Sequence, residues 1–240
     1  MNTLEAIKTR RSTRKFKAQP VELEKLKQIV EAGQFGPTGG NAQSNHFFVI
    51  SDASVIAKLK ELVQSAFAAM ELREDLYKSL KNSITLARKG NYSFCYTAPV
   101  LIVVANKKEY GNNMADVACA VENMMLAANE LDLGSCYINQ LKWLNEDPTL
   151  LEYLRGLGLR EDERVYASVA IGYADTESGL PNRAESRAPA TKSCSCNFCI
   201  LLQTPERVVL RIAIRARGAV LFFAKGKDRI GYSKFRLFTD

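Results

Sequence analysis

The chain has 240 residues, of which 47% are hydrophobic and 25% charged, proportions typical of a globular protein with a sizeable core. No run approaches the roughly 18 apolar residues that a membrane-spanning helix needs, and the N-terminal residues lack the apolar stretch of a secretory signal. We therefore expect a cytoplasmic protein whose six cysteines are reduced. The whole net charge of +7 lies in residues 185–240, which hold 11 Lys and Arg against 4 Asp and Glu, so we expect two parts, 1–184 and 185–240.

The first elements are a short helix, a longer helix and a strand. Asn2 begins a capping box for the short helix. Pro20 is expected to open the second helix, whose apolar residues recur every three to four positions, and Gly33 with the following Gly-Pro pair ends it. A loop rich in glycine and asparagine then leads into a strand over residues 46–50.

The middle of the chain predicts a third helix, a variable segment and a buried strand. Asp52 or Ser54 is expected to cap the third helix, which runs to about residue 70. The charged, mixed segment 71–93 predicts a helix together with a mobile excursion. The unbroken apolar run 100–104 predicts a central strand that is covered on both faces.

A long helix follows, predicted from Met114 to Leu133, with Asn113 as its cap and Gly134 as its end. It is apolar on nearly all sides, so it must be buried in a core or at a subunit interface. Asp147 and Pro148 begin another helix, and the β-branched alternation over residues 164–172 predicts another strand. Helices that alternate with strands predict a sheet with helices on both faces.

A basic segment follows the first helix directly and carries three arginines and a serine within five residues: Arg10, Arg11, Ser12 and Arg14. The planar guanidinium group offers a fork of donors that matches the oxygens of a phosphate. The same cluster is also typical of a solvated turn that the C-terminal end of a helix dipole stabilises. Taken alone, the segment leaves both interpretations open.

A second segment, before the first strand, combines small residues with amide side chains: Pro37, Thr38, Gly39, Asn41 and Gln43. Glycines let a backbone approach a flat ring closely, and amide side chains can bind the polar edge of the ring. A plain connecting loop has the same composition. The segment lacks the Gly-Lys-Ser/Thr ending of a nucleoside-triphosphate-binding loop.

A third segment follows the long helix and contains Gly134, Ser135, Cys136 and Ile138. A glycine at this point is typical of a helix C-terminus. It also leaves backbone N–H groups open to a cofactor.

In this order the three segments resemble the nitroreductase family of flavoenzymes, over about residues 1–184. In that family an Arg-Arg-Ser-x-Arg segment grips the FMN phosphate and ribityl chain, which assigns that role to the basic segment. The family's Pro-Ser/Thr-x-x-Asn-x-Gln loop matches Pro37 to Gln43 and places Asn41 near the isoalloxazine. Its Leu-Gly segment matches Leu133 to Ile138, along the other side of the flavin, and Arg183 matches a basic residue that returns to the phosphate.

The resemblance implies an α+β fold, in which helices sandwich a mostly antiparallel central sheet, and a domain-swapped homodimer with FMN at the subunit interface. It also implies an NAD(P)H-dependent FMN oxidoreductase. NAD(P)H passes a hydride to flavin N5 and leaves, and a small-molecule acceptor such as a nitroaromatic or a quinone takes its place in a ping-pong cycle. The flavin carries the chemistry, so we expect neither a catalytic side chain nor a metal.

Two features depart from the family pattern. Ser44 and Asn45 stand where the family usually has Pro-Trp, so a bulky wall for stacking a substrate is missing. His46 is the only histidine and begins the first strand, where we expect a structural role rather than proton transfer.

The basic part, 185–240, matches nothing in the family, whose members typically continue into a short strand that embraces the partner subunit. Cys194, Cys196 and Cys199 are irregularly spaced and have no nearby histidine, which argues against a metal site. The β-rich stretch Arg207 to Phe223 could still pair as a strand. The other interpretations are disorder, an altered terminus, and a binding arm for nucleic acid or an anionic membrane. Such an arm would use the basic residues Arg207, Arg211, Arg215, Arg217, Lys225, Lys227, Arg229, Lys234 and Arg236.

Three functions therefore stay open. The first is an FMN reductase that acts on small acceptors. The second is a flavin enzyme with a narrower task, such as reductive dehalogenation or flavin breakdown, for which the segment 71–93 would form a lid. The third is a binding protein that uses its basic tail, since the core itself is expected to bind neither nucleic acid nor a membrane.

Overall fold

A computed structural model of the protein describes residues 2–183, 198–200, 211–216 and 219–224. The chain divides into two compact units, Met1–Glu185 and Ser186–Asp240. The helices of the first unit are α1 (Thr3–Thr9), α2 (Leu23–Gln34), α3 (Ala53–Ala69), α4 (Lys78–Arg88), α5 (Asn113–Glu130), α6 (Gln140–Trp143) and α7 (Pro148–Gly156). Its strands are β1 (His46–Ile50), β2 (Val100–Lys107), β3 (Gly134–Ile138) and β4 (Glu163–Gly172).

The four strands form one antiparallel sheet in the order β1-β2-β4-β3. Strand β2 is central and buried, and its side chains alternate between two apolar layers. Leu101 and Val103 pack with residues of α3, α4, α6 and α7, while Ile102 and Val104 pack with α2 and α5. The predicted central strand and the α+β sandwich are therefore confirmed.

Local signals set three helix starts as the sequence predicts. The Asn2 side chain accepts a hydrogen bond from Glu5 N at 2.9 Å at the start of α1. The Asp52 side chain caps α3, and Asp147, followed by proline, caps α7. In the segment 71–93, the structure has the helix α4.

Two helix boundaries differ from prediction because of distant contacts. Helix α2 begins at Leu23 rather than at Pro20, since Glu22 stays extended as its N-cap and its carboxylate accepts a hydrogen bond from Tyr173. Helix α5 begins at Asn113, with Asn112 as its cap, and ends at Glu130, well before Gly134. Asp132 takes the left-handed conformation that stops it, at φ 64°, so Gly134 is not the helix end.

Within the single chain, the core buries only part of the surface of α5. One face packs on α2 and the sheet. The opposite face is exposed, and it is formed by the residues that we call the α5 stripe: Met114, Ala115, Ala118, Cys119 and Glu122. Except for Glu122, the stripe is apolar or weakly polar, which leaves the subunit-interface alternative open.

The second unit contains three short strands, β5 (Phe198–Ile200), β6 (Arg211–Ala216) and β7 (Ala219–Ala224). They form an antiparallel sheet in the order β5-β6-β7. Strands β6 and β7 fall largely within the stretch predicted to be β-rich. Cys194, Cys196 and most of the basic residues proposed for a binding arm lie outside the described residues.

Candidate active site

The basic segment runs along the free edge of β3. Ser12 pairs with Ser135 in a parallel bridge, and Thr13 N donates to Ser135 O at 2.9 Å. At Gly134 a Cβ atom would lie only 2.6–2.7 Å from three atoms of Thr13, so the close approach requires glycine. The structure thus brings together the first and third segments that the sequence singles out.

The arginines of this segment have different environments. Arg11 folds back onto α1, where its guanidinium donates to the carbonyls of Arg10 and Lys8, so it is the one that caps the helix. Arg10 and Arg14 act instead on the Cys136 thiol of β3. Among the described residues, neither Arg10 nor Arg14 forms an ion pair with a carboxylate, so both charges are available to an anion.

Beside these two arginines, the thiol of Cys136 is a neutral group. Burial raises the pKa of the Cys136 thiol, although Arg14 and the Ser12 hydroxyl lower it in part. The thiol therefore stays protonated near neutral pH and is not an activated nucleophile. Ser135 and Ile138 are also buried.

Tyr96, which none of the three sequence motifs contains, lies at the same edge of β3. Its hydroxyl interacts with Arg14 and Cys136, and burial raises its pKa. Its φ of 58° is uncommon for a bulky residue, and such strained backbone clusters at functional sites. Ser93 Oγ donates to Tyr96 O at 2.6 Å, and Thr97 Oγ1 is hydrogen bonded to both Phe16 N and Phe16 O, which holds the turn against the basic segment.

Arg183 braces the end of α5. Its guanidinium donates to Asn129 O and, at 2.7 Å, to the carboxylate of Asp132. The Asn129 side chain in turn donates to Ala6 O and Thr9 Oγ1 of α1. Arg183 is therefore linked to the helix that precedes the basic segment, but its charge is paired with Asp132.

The second predicted segment, Pro37 to Gln43, lies at the other end of α5. Gly39 N donates to the Asp116 carboxylate in the first turn of that helix, and Tyr110 Oη lies 2.8 Å from Gly39 O. Asn41 and Gln43 are exposed, and Gln43 Nε2 donates to Asn41 Oδ1 at 3.1 Å. We call residues 37–43 the amide loop.

Within one chain, the amide loop and the basic segment are thus far apart. The loop is bonded to Asp116, whereas Arg183 and the C-terminal turn of α1, which leads into the basic segment, are bonded to Asn129. These two helix positions are separated by about 20 Å, at a rise of about 1.5 Å per residue. The structure therefore places the predicted site residues in two groups, at opposite ends of α5.

The residues that replace the family's Pro-Trp form a polar network. Ser44 Oγ donates to Asn106 Oδ1 at 2.9 Å, and Asn106 Nδ2 donates to Asn45 Oδ1 at 2.8 Å. His46 Nδ1 lies 2.9 Å from the buried carboxylate of Glu163, which also accepts from Arg160 N. This pairing joins β1 to the start of β4 and supports the structural role expected for His46.

The described part of the chain contains neither a candidate group of metal ligands nor a membrane-spanning helix. Among these residues, there is no group of three or more His, Cys, Asp or Glu side chains that could hold a metal ion. Among the same residues, no helix combines the length and the apolar character needed to cross a membrane.

The chain is similar in sequence and in fold to several known proteins. The nitrobenzene nitroreductase of Ectopseudomonas oleovorans is 27% identical over 210 residues, which cover 75% of this chain and 89% of that protein. A nitroreductase with bound FMN from Bacteroides fragilis is 34% identical, with a TM-score of 0.69 over 81% of this chain and 100% of that one. A second, from Desulfitobacterium hafniense, also with bound FMN, is 26% identical, with a TM-score of 0.65 over 80% of this chain and 99% of that one.

These structures confirm the expected nitroreductase-like α+β fold. The sequence model described as the nitroreductase family matches residues 7–173, which include the basic segment, the amide loop and β3. The match covers more than half of the chain. The chain therefore belongs to the nitroreductase family.

Proposed function

We propose that this protein is an FMN-dependent oxidoreductase that takes a hydride from NAD(P)H and passes it to a small acceptor such as a nitroaromatic or a quinone. The observation that carries the proposal is the pair of arginines, Arg10 and Arg14, which lie along the edge of β3 without a carboxylate partner among the described residues. A phosphate is the anion that two guanidinium groups and the Ser12 hydroxyl fit best.

The flavin ring would extend from this phosphate site over β3. Gly134, Ser135, Cys136 and Ile138 of β3 lie beside the basic segment, and the close packing of Gly134 on Thr13 holds Ser12 and Arg14 next to this strand. Arg183 would reach the phosphate only by releasing Asp132, so its first role is to brace α1 and α5. When bound, FMN supplies hydride acceptance and hydride transfer.

The amide loop would complete the site from a second copy of the chain. In one chain the loop lies about 20 Å along α5 from the basic segment. When two α5 helices pack antiparallel along their whole length, the loop end of each helix faces the arginine end of the other. Asn41 and Gln43 of one subunit then bind the ring edge of the cofactor whose phosphate the other subunit holds. The exposed, weakly polar stripe is the surface that such a homodimer would bury.

The protein's contribution to the reaction is orientation, charge and exclusion of water. Arg10 and Arg14 would hold the phosphate, and positive charge or backbone N–H groups near the ring would favour negative charge on the reduced cofactor. Neither the thiol of Cys136 nor the hydroxyl of Tyr96 is ionised near neutral pH, because burial raises both pKa values. No side chain at this edge is therefore required to act as a base.

Colour is the direct test of the activity. Purified protein should take up FMN, become yellow, and bleach when NADH or NADPH is added without air. A nitroaromatic or a quinone should then restore the colour. Protein that does not bind added FMN would contradict the proposal, and recovery of colour with a halogenated aromatic alone would favour the narrower dehalogenation task.

Mixed dimers test whether two chains share each site. In a dimer of an Arg14→Ala chain with an Asn41→Ala chain, one site carries both defects and the other none. We therefore expect one FMN bound per dimer with wild-type affinity. The matched control pairs a wild-type chain with a chain that carries both changes, in which each site has one defect. If both halves of a site came from the same chain, the two results would be exchanged.

A further inference from the structure

Asp116 is a buried carboxylate to which none of the sequence motifs assigns a role. It lies in the first turn of α5 with only 4% of its surface exposed. It forms no ion pair with Lys or Arg among the residues that the structure describes. Its oxygens instead face the amide loop, at 3.1 and 3.3 Å from Gly39 N. A charged acceptor makes a stronger bond to a backbone N–H than a neutral one does.

Tyr110 adds a second link at the same point. Its hydroxyl oxygen lies 2.8 Å from Gly39 O and 3.0 Å from Asp116 Oδ2, so it donates to one of these oxygens at a time. Partial burial and the neighbouring Asp116 raise the pKa of Tyr110, although Asn112 lowers it in part, and the hydroxyl therefore remains a donor. The two side chains thus hold both the N–H and the C=O of Gly39.

The part of the amide loop beyond Gly39 is strained and needs such support. Gly40, Asn41 and Gln43 have φ values of 58°, 56° and 48°, and the left-handed region, which glycine and asparagine adopt most readily, is unfavourable for Gln43. Within the loop, Asn41 N donates to Thr38 O at 3.0 Å, Ala42 N to Gly39 O at 3.1 Å and Gln43 N to Thr38 Oγ1 at 3.2 Å, so the loop is a tight turn that Asp116 and Tyr110 attach to α5 through Gly39. Asn45 Nδ2 donates to Asp116 O at 3.3 Å, which ties the exit of the loop to the same helix turn.

We propose that Asp116, assisted by Tyr110, is a positioning residue that fixes the amide loop so that Asn41 and Gln43 meet the flavin ring. The proposal rests on the proposed function, because the loop has a ring to bind only if the protein holds a flavin. Asp116 touches neither cofactor nor substrate. By the shared-site arrangement, it acts on the cofactor whose phosphate the partner subunit binds.

Two probes, FMN and riboflavin, separate ring binding from phosphate binding, and quenching of flavin fluorescence measures both. Asp116→Asn keeps the size of the side chain and removes its charge. We expect the affinities for FMN and riboflavin to fall by the same factor, about tenfold, as for weakening one charge-assisted hydrogen bond. Arg14→Ala should lower the affinity for FMN alone. Unchanged affinities in Asp116→Asn, or a loss for FMN only, would overturn the proposal.

Hydrogen exchange of the Gly39 amide reports positioning independently of flavin. In Asp116→Asn we expect this amide to exchange at least about tenfold faster, because its acceptor is weaker, while the amides of β2 keep their rates. Tyr110→Phe should accelerate the same amide less, since the carboxylate remains, and Tyr77→Phe, at an exposed tyrosine, should leave it unchanged. Unchanged exchange at Gly39 in Asp116→Asn refutes the assignment.

Asp147→Asn is the matched control for general destabilisation. Asp147 Oδ1 accepts from Leu150 N at 2.8 Å at the start of α7, so the variant also removes a carboxylate from a helix N-terminus. It should lower the melting temperature without changing the affinity for riboflavin. An equal loss of riboflavin affinity in this control would overturn the proposal. Wild-type protein that binds neither flavin would instead remove the proposed function, a result distinct from failure of the Asp116 variant alone.

Discussion

Replacing Gly134 by alanine should separate the basic segment from β3. The added Cβ would lie 2.6 Å from Thr13 Oγ1 and 2.7 Å from both Thr13 Cβ and Thr13 Cγ2. Ordinary contacts between carbon atoms are about 3.5–4.0 Å, so the two backbones have to move apart by about 1 Å. Rotation of the Thr13 side chain cannot relieve the contact, because its Cβ is fixed to the backbone.

An atom inserted into a closely packed contact destabilises the folded state. We expect the free energy of unfolding to fall by about 1–3 kcal/mol. The same movement displaces Ser12 and Arg14, so the affinity for FMN should fall by about tenfold or more, as for the loss of one charge-assisted hydrogen bond. Urea denaturation measures the first quantity, and flavin fluorescence the second.

Two further variants make the result decisive. Gly156→Ala, at the end of α7, adds a Cβ with no atom within 4 Å, so it should be neutral or stabilise by about 0.4–1 kcal/mol. Thr13→Gly removes all three contacting atoms and should recover part of the loss when combined with Gly134→Ala. If Gly134→Ala had wild-type stability and FMN affinity, the packing of the basic segment on β3 would be refuted.

Tyr96→Phe removes only the hydroxyl beside Arg14, so FMN affinity should fall about two- to tenfold, and equal affinity by fluorescence titration would exclude Tyr96 from the site. Burial raises the pKa of the Cys95 thiol to about 11, so iodoacetamide at pH 8 should spare Cys95. Peptide mapping of the same samples should find Cys119, in the α5 stripe, protected in the dimer. Equal labelling of Cys119 in dimer and monomer would contradict the α5 interface. Hydrogen bonds from the Ser54 side chain and from the backbone N–H groups of Val55 and Ser54 hold the pKa of Asp52 below its ordinary value. The stabilisation from Asp52 is therefore present above the pKa of Asp52 in the unfolded chain and is lost as the pH falls through its pKa in the folded protein. The difference in melting temperature between wild type and Asp52→Asn should therefore close in acid. A difference that does not depend on pH would refute this assignment.

The parts of the fold that the sequence predicts correctly are those with local causes. The caps at Asn2, Asp52 and Asp147 depend on a side chain and the next three backbone amides. The central strand depends on an unbroken apolar run. By contrast, α2 begins where Glu22 meets Tyr173, which is 151 residues away, and no local pattern contains that contact.

The candidate site likewise combines residues that local motifs predict with residues whose contacts are distant in sequence. The motifs name the basic segment, the amide loop and β3, but three chemically identical guanidinium groups cannot be told apart without their neighbours. Arg11 caps α1, whereas Arg10 and Arg14 face Cys136. The motifs do not include Tyr96 and Asp116, because the contacts of these residues with the basic segment and the amide loop are tertiary. The only sequence signals were their positions, one just before the central strand and one at the start of the long helix.

The pairing of Ser12 and Thr13 with Ser135 also covers a strand edge. Strand β3 ends the sheet, and an uncovered edge presents unpaired backbone groups that invite pairing with other chains and aggregation. Deleting the N-terminal residues would therefore remove the arginines and expose this edge at the same time. Loss of solubility and loss of cofactor would then appear together in a truncation that removes residues 1–14, and only single side-chain substitutions can separate them.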